Sequence, residues 1–387
     1  MTGRGRRQAG QVAPVVLRHT IRFVLLSGGM FVVIAAMAFM EGIVLWLAGT
    51  RYSPKSSLTR TSVGDFSISA NGEWAVSRIS LSRKSLGSVV HDVLLHNLRD
   101  QRTERLHVGS CRPGYVAVSP TAETIAIAGW DGSLRIWNGL PNRGASYSMD
   151  GQCLRLPDGP PVRFSCLVFS SDGCLLAAEG NRSTCLWRWP SGELLHQWPH
   201  DGGLPGLLSF SSDSRRILVL GTQGRVCLRD TSTGQAINVI SPDDGPVAIG
   251  ALSPDARLAA LVSNSAVRVY SLAGGEELWR RPIGGPSIAF SPDGRFLAAT
   301  AAGSRGYCCR VYNASGGMFL CDLTGHDAVI TGLSFACDGL LYSWDTRGVI
   351  RAWNVEQQRQ QWCFSLLTWA SNDRSFRGAP EDLRTGR

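Results

Sequence analysis

The chain has 387 residues, a formal net charge of +9, 44% hydrophobic residues, 18% charged residues and 44 glycines. It is too apolar to be disordered, and its length suits two or three ordinary domains or one closed β architecture made of repeated small sheets. Only Lys55 and Lys84 among the 39 basic residues are lysine, and the arginines form no run interleaved with aromatics, which argues against nucleic acid as a partner.

The first predicted element is a membrane-spanning helix. A basic segment, residues 1–22, carries Arg4, Arg6, Arg7, Arg18 and Arg22, and an uncharged run then extends from Phe23 to Met40. As an α-helix that run would rise about 27 Å, close to the thickness of a hydrocarbon core. The chain stays apolar from Gly42 to Ala48, so the span is read as residues 23–48, with Glu41 at interfacial depth beside Trp46 and Tyr52. A cleaved signal peptide is the rival, since Ala36-Met37-Ala38 has the spacing of a processing site. Apolar residues continue beyond it for about ten positions, which favours an uncleaved anchor.

No cysteine precedes Cys111, which excludes lipidation of an N-terminal cysteine. Five arginines before the span, against Arg51, Lys55 and Arg60 after it, favour a single-pass protein with its bulk on the extracytoplasmic side. The cysteines pull the other way, because eleven is an odd number and an oxidising compartment threatens free thiols. Cys166, Cys185, Cys227 and Cys321 lie in strand-like apolar runs, where a reduced cysteine packs as a small apolar side chain. Cys308 and Cys309 are adjacent, so on a strand they point to opposite faces and make a poor disulfide pair.

After a linker, residues 49–56, one turn recurs between apolar runs. It reads Ser-Pro-Asp-Gly at Ser291-Pro292-Asp293-Gly294 and is degraded at six other places, beginning at Ser69, Ser119, Ser170, Ser211, Ser253 and Ala336. The first residues are 50, 51, 41, 42, 38 and 45 positions apart, a period that fits one four-stranded sheet with its loops. Proline presets φ, aspartate caps its own backbone and glycine accepts positive φ, so each turn can reverse the chain into the next strand. Runs such as Ser287 to Ser291, Arg295 to Ala301, Tyr307 to Asn313 and Met318 to Leu323 supply four strands per unit. No stretch of this region has helical periodicity. A small sheet cannot bury both its faces alone, but seven arranged radially can.

These repeats resemble the WD-repeat β-propellers. The last unit opens with Gly325-His326-Asp327 and carries Val349-Ile350-Arg351-Ala352-Trp353-Asn354, and the second carries Asp131-Gly132-Ser133-Leu134-Arg135-Ile136-Trp137-Asn138. The resemblance implies an all-β, seven-bladed propeller over residues 57–367; residues 368–387, which mix acids with arginines and lack an apolar period, read as a disordered tail. It also implies a hydrogen-bond network of histidine, serine or threonine, aspartate and tryptophan within a blade. The seventh unit offers His326, Ser343 and Trp353 with Arg347 at the aspartate position. The second offers Asp131 and Trp137, and the third Trp187. Arg229, Tyr270 and Tyr312 stand at the tryptophan position of the fourth, fifth and sixth, so no unit is expected to hold a complete network.

No nucleophile elbow, phosphate loop or metal-binding pair is present, and the repeated carboxylates Asp172, Asp213, Asp255 and Asp293 read as turn residues. The expectation is a membrane-anchored, non-catalytic scaffold for other proteins, with no metal, cofactor or small-molecule substrate. In the family it resembles, partners dock on the face made by loops between second and third strands and between blades. Here those loops include Trp130, Arg182, Arg305, Trp344 and Arg347, residue types that anchor interfaces. The alternative is an extracytoplasmic propeller enzyme or sensor with a small ligand in the central channel. Its support is Leu272 to Trp279, which resembles the blade motif of quinone-dependent dehydrogenases, with Trp198 and Trp362 as counterparts of Trp279.

Overall fold

Each recurring turn joins the first two strands of a four-stranded antiparallel sheet, and there are seven such sheets in chain order. The computed structural model describes residues 58–83, 89–106, 108, 112–138, 152–154, 164–200, 208–242, 247–263, 266–283, 285–303 and 306–365. The basic segment, the membrane span, the linker and the C-terminal tail read from the sequence lie outside these residues.

Blade 1 holds Leu58–Ile68, Trp74–Arg83, Val89–Asn97 and Arg102–Leu106, and blade 2 holds Pro113–Val118, Thr124–Gly129, Leu134–Asn138 and Gln152–Leu154. Blade 3 holds Phe164–Phe169, Leu175–Gly180, Ser183–Arg188 and Glu193–Pro199, and blade 4 holds Ser209–Phe210, Arg216–Leu220, Val226–Asp230 and Ala236–Ile240. Blade 5 runs through Ile249–Leu252, Leu258–Ser263, Ala266–Ser271 and Glu277–Pro282, and blade 6 through Ile288–Phe290, Phe296–Gly303, Gly306–Asn313 and Phe319–His326. Blade 7 closes the order with Ile330–Phe335, Leu341–Asp345, Val349–Asn354 and Arg359–Ser365.

The turns fold as their chemistry dictates. The hydroxyls of Ser170, Ser211, Ser253 and Ser291 each donate to the aspartate two residues on, at 2.5–2.7 Å. Each of those hydroxyls also accepts the backbone N–H five residues on. The fourth turn residue has positive φ in all seven repeats, including Ala122, Ser214 and Ala256 where glycine is missing. At Gly72 the neighbouring blade adds a second constraint, since a Cβ there would stand 2.5 Å from the Tyr342 hydroxyl.

No blade owns a core. The seven hydrophobic clusters each join two neighbouring blades. Strand alternation explains this: in the second strand of blade 3, Leu176 and Ala178 pack toward blade 2, while Ala177 packs toward blade 4. The ring closes in the same way, with Phe66, Ile79 and Leu94 of blade 1 packed against Tyr342, Trp344 and Ile350 of blade 7. The turns meet there as well, the Cys337 amide donating to the Ala70 carbonyl at 2.7 Å. Closure needs no shared strand, because blade 7 takes its outer strand from its own chain order and Leu58–Ile68 is the first strand of blade 1.

Cys185, Cys227, Cys308, Cys309 and Cys321 are buried free thiols. Burial pushes the Cys185 thiol up to about 11 and the Cys309 thiol up to about 12, so both stay protonated and behave as apolar side chains.

Candidate functional site

Blade 7 contains a complete buried network, which corrects the expectation that no blade has one. His326 Nε2 lies 2.7 Å from Ser343 Oγ, and the Trp353 indole N–H donates to the same oxygen at 2.8 Å. His326 Nδ1 lies 2.8 Å from Asp345 Oδ2, and Asp345 Oδ1 accepts the backbone N–H groups of Arg347 and Val349. The aspartate is thus Asp345 and not the position of Arg347. Asp345 is the last residue of the second strand, and Arg347 lies exposed in the turn that follows, six positions before Trp353 as Asp131 is before Trp137. His326 ends the outer strand of blade 6, so the network also ties blade 6 to blade 7.

Blade 1 holds a variant of this network that sequence reasoning missed. In register, His96 pairs with Ala75 as Trp353 pairs with Leu341. His96 Nε2 is 2.7 Å from Ser77 Oγ, and Nδ1 is 2.9 Å from Thr103 Oγ1. Burial without a charged partner pushes the imidazole down to about 3, so it is neutral. The signal available in the sequence was Ser77 at the position of Ser343, with histidine in place of the family's tryptophan. Trp137 and Trp187 occupy the tryptophan position of blades 2 and 3 and are buried at 5% and 1% exposure.

The tryptophans of two outer strands dock on the next blade. Trp198 donates to the Gly234 carbonyl at 3.0 Å and Trp279 to the Ala314 carbonyl at 2.9 Å. Trp362 instead packs edge-on against Tyr342, its ring 5.7 Å away.

On the edge formed by the turns between second and third strands, Trp130 is 56% exposed. Arg182 and Arg347 are exposed on the same edge, Asp131 is exposed beside Trp130, and Arg305 lies outside the described residues. Trp344 is placed differently: it belongs to the second strand of blade 7, is 8% exposed, and packs at a tilt against Phe66 of blade 1 with ring centres 4.6 Å apart. Trp130, Arg182 and Arg347 are not clustered. They come from separate turns around the ring.

A tighter group that the sequence did not reveal surrounds Trp130 at the junction of blades 1 and 2. A bulge at Gly64 and Asp65 interrupts the pairing of the first strand of blade 1, and the Arg78 guanidinium lies over Gly64, where a Cβ would meet it at 1.8 Å. Asp65 accepts the Val116 N–H of blade 2 at 2.6 Å. Desolvation raises its carboxyl to about 6, against the opposing pull of that N–H and of Arg78. Arg78 Nη1 donates to Ser80, which bonds His91 at 2.9 Å. The His91 imidazole lies parallel to the Trp130 indole, 6.3 Å between centres. Burial, then the nearness of Arg78 and Arg112, lowers the imidazole's affinity for a proton. The Trp130 amide bonds the Arg112 carbonyl at 2.9 Å, which fixes Arg112 at this junction.

A cleft of about 290 Å³ lies between the turns of blades 6 and 7, lined by Asp293, Arg295, Asp338 and Glu356 among others. Arg295 bonds both Asp293 and Glu356, and Asp338 accepts the Tyr342 hydroxyl. Among the described residues no group of three His, Cys, Asp or Glu side chains could hold a metal ion, and no helix is long and apolar enough to cross a membrane.

Seven radial four-stranded sheets define a β-propeller. The family described as WD domain, G-beta repeat matches residues 103–138, from the outer strand of blade 1 to the third strand of blade 2, ending at Trp137 and Asn138. With the seven-bladed ring, that match identifies the chain as a WD-repeat propeller.

Proposed function

We propose that this propeller is a non-catalytic protein-interaction scaffold held at a membrane by residues 23–48 as a single-pass anchor. Propellers of its family commonly bind other proteins, and the observation that carries the reading here is Trp130, a large aromatic left 56% exposed in a turn between second and third strands, whereas the other exposed large apolar residues, Ile237, Val239, Leu278, Met318 and Phe319, lie on or beside the outer strands of blades 4 to 6. An exposed tryptophan flanked by arginines is the side-chain chemistry of an interface anchor. The ring supplies a surface without moving parts, since each blade is locked to its neighbours on both faces. The anchor rests on the apolar run after the basic segment, and the excess of arginine before it supports an extracytoplasmic propeller.

Two measurements test this. Alkaline extraction of membranes should leave the full-length chain in the pellet, and external protease should digest the propeller in intact cells; release into the supernatant would overturn the anchor. A photo-crosslinking residue at position 130 or 182 should capture proteins that the same residue at the opposite edge does not. Equal capture from both edges would overturn the docking face.

A further inference from the structure

The arginines of the propeller are not treated alike. On the edge made by the turns between first and second and between third and fourth strands, Arg99 pairs with Glu73, Arg188 with Glu193, Arg257 with Asp255 and Arg295 with Asp293, while Arg102 and Arg215 are exposed there with no ion pair among the described residues. The turn carboxylates Asp172, Asp213 and Asp338 add negative charge to that edge. On the opposite edge Arg112, Arg182, Arg225 and Arg347 are exposed, and among the described residues none forms an ion pair. Arg78 is recessed at the junction of blades 1 and 2. Its single side-chain bond goes to Ser80, and its Nε is buried with no acceptor.

We infer that the junction of blades 1 and 2 binds an acidic polypeptide segment, one carboxylate entering between Arg78 and Arg112 with the adjoining chain lying over Trp130. This rests on the scaffold reading and narrows the partner's chemistry. Guanidinium groups with unspent donors recognise carboxylates through paired N–H bonds, and the low proton affinity of His91 keeps that ring neutral beside the indole. Asp65 spends its carboxylate on the Val116 N–H at 2.6 Å and forms no ion pair with the Arg78 guanidinium among the described residues. A carboxylate on a flexible peptide can reach the recessed Arg78, whereas a planar bilayer meets only the exposed arginines. Arg182 and Arg225 would extend the positive track to blades 3 and 4 and speed encounter with an acidic chain.

The test uses the full-length chain in phosphatidylcholine nanodiscs and a fluorescein-labelled dodecapeptide of alternating glutamate and glycine, read by anisotropy at low salt. Binding should saturate, fall about tenfold in Arg112→Glu and several-fold in Trp130→Ser, and stay unchanged in Arg99→Glu. Arg78→Gln should weaken binding as well, and the exposed Arg112→Glu keeps the test valid if that buried change disturbs folding. No saturable binding, or an equal loss in Arg99→Glu, overturns the inference. Tighter binding of a dT dodecamer, or an Arg112-dependent association only with phosphatidylserine vesicles, also overturns it in favour of another polyanion. Crosslinking from position 130 separates the two proposals: capture of proteins that is insensitive to Arg112→Glu leaves the scaffold standing and removes the acidic segment, whereas no capture removes both.

Discussion

Blades 2 and 7 carry the same tryptophan near the end of the third strand and an aspartate before it, Asp131 in the turn and Asp345 at the end of the second strand, yet they use them differently. In blade 7 the Trp353 indole N–H reaches Ser343, and Asp345 is 2% exposed. In blade 2 the position in register with Ser343 is Ile127, the Trp137 indole N–H has no partner, and Asp131 faces solvent on Ser133. The family match nonetheless falls on blade 2. Recognition of a repeat by pattern thus follows strand length, turn and aromatic position, while the buried polar network is a separate property that one blade can have and another lack. Blade 1 supports the point from the other side, retaining the serine and replacing tryptophan with His96.

Removing the aspartate should separate the blades most sharply. Asp345→Ala leaves two backbone N–H groups and a histidine nitrogen without their acceptor in a dry site, and should destabilise the fold by about 3 kcal/mol. Asp131→Ala removes a solvent-exposed turn contact and should stay below about 1 kcal/mol. Urea unfolding of both variants measures the difference. Equal losses would mean that the blade 7 network adds nothing to stability.

The fold was legible because its determinants are local and repeated: a turn with serine, aspartate and glycine chemistry, four short strands and a fixed period. What the sequence hid depends on register. Asp345 escaped because it ends the second strand, two residues before the turn position that Arg347 occupies. Trp344 read as a loop residue, but its strand is buried on both faces, one against blade 1. The group at the junction of blades 1 and 2 exists because a bulge turns Asp65 toward Val116, and a bulge leaves no periodic trace. Arg78 and Arg112 are distant in sequence and come near the same side chain, His91, only through the packing of neighbouring blades.

The next largest effect concerns blade 1 and pH. His96 falls from 6.5 to about 3 in the fold, so the unfolded chain takes up the proton first and stability declines as pH drops below 6.5, by up to about 1.4 kcal/mol per unit. Asp65 rises from 3.8 to about 6, so its native form holds the proton longer and its contribution is lost as pH rises through that interval. The two slopes oppose each other between roughly pH 4 and 6. Accordingly His96→Gln should make the protein relatively more stable toward acid than wild type, and Asp65→Asn relatively less. Denaturation midpoints at about pH 4.5 and 6.5 check this, and parallel profiles for the two variants would rule out both assignments.

The smallest and most selective contrast is between the two tryptophans themselves. Trp353→Phe removes the indole N–H that Ser343 accepts while keeping an aromatic ring in the cluster with Leu323, Leu333 and Leu341. The loss should be about 1 kcal/mol beyond the change in ring size. Trp137→Phe removes an N–H that already lacks an acceptor among Val93, Leu95, Leu106 and Ile127, so relief of an unsatisfied donor offsets the smaller ring and the net change should lie within about 0.5 kcal/mol. Both rings are buried to nearly the same degree, at 3% and 5% exposure, which removes burial as the explanation for any difference. If the two substitutions cost the same, the hydrogen bond in blade 7 is energetically silent, and the tetrad there stabilises the ring only through the packing it shares with the blades that have lost it.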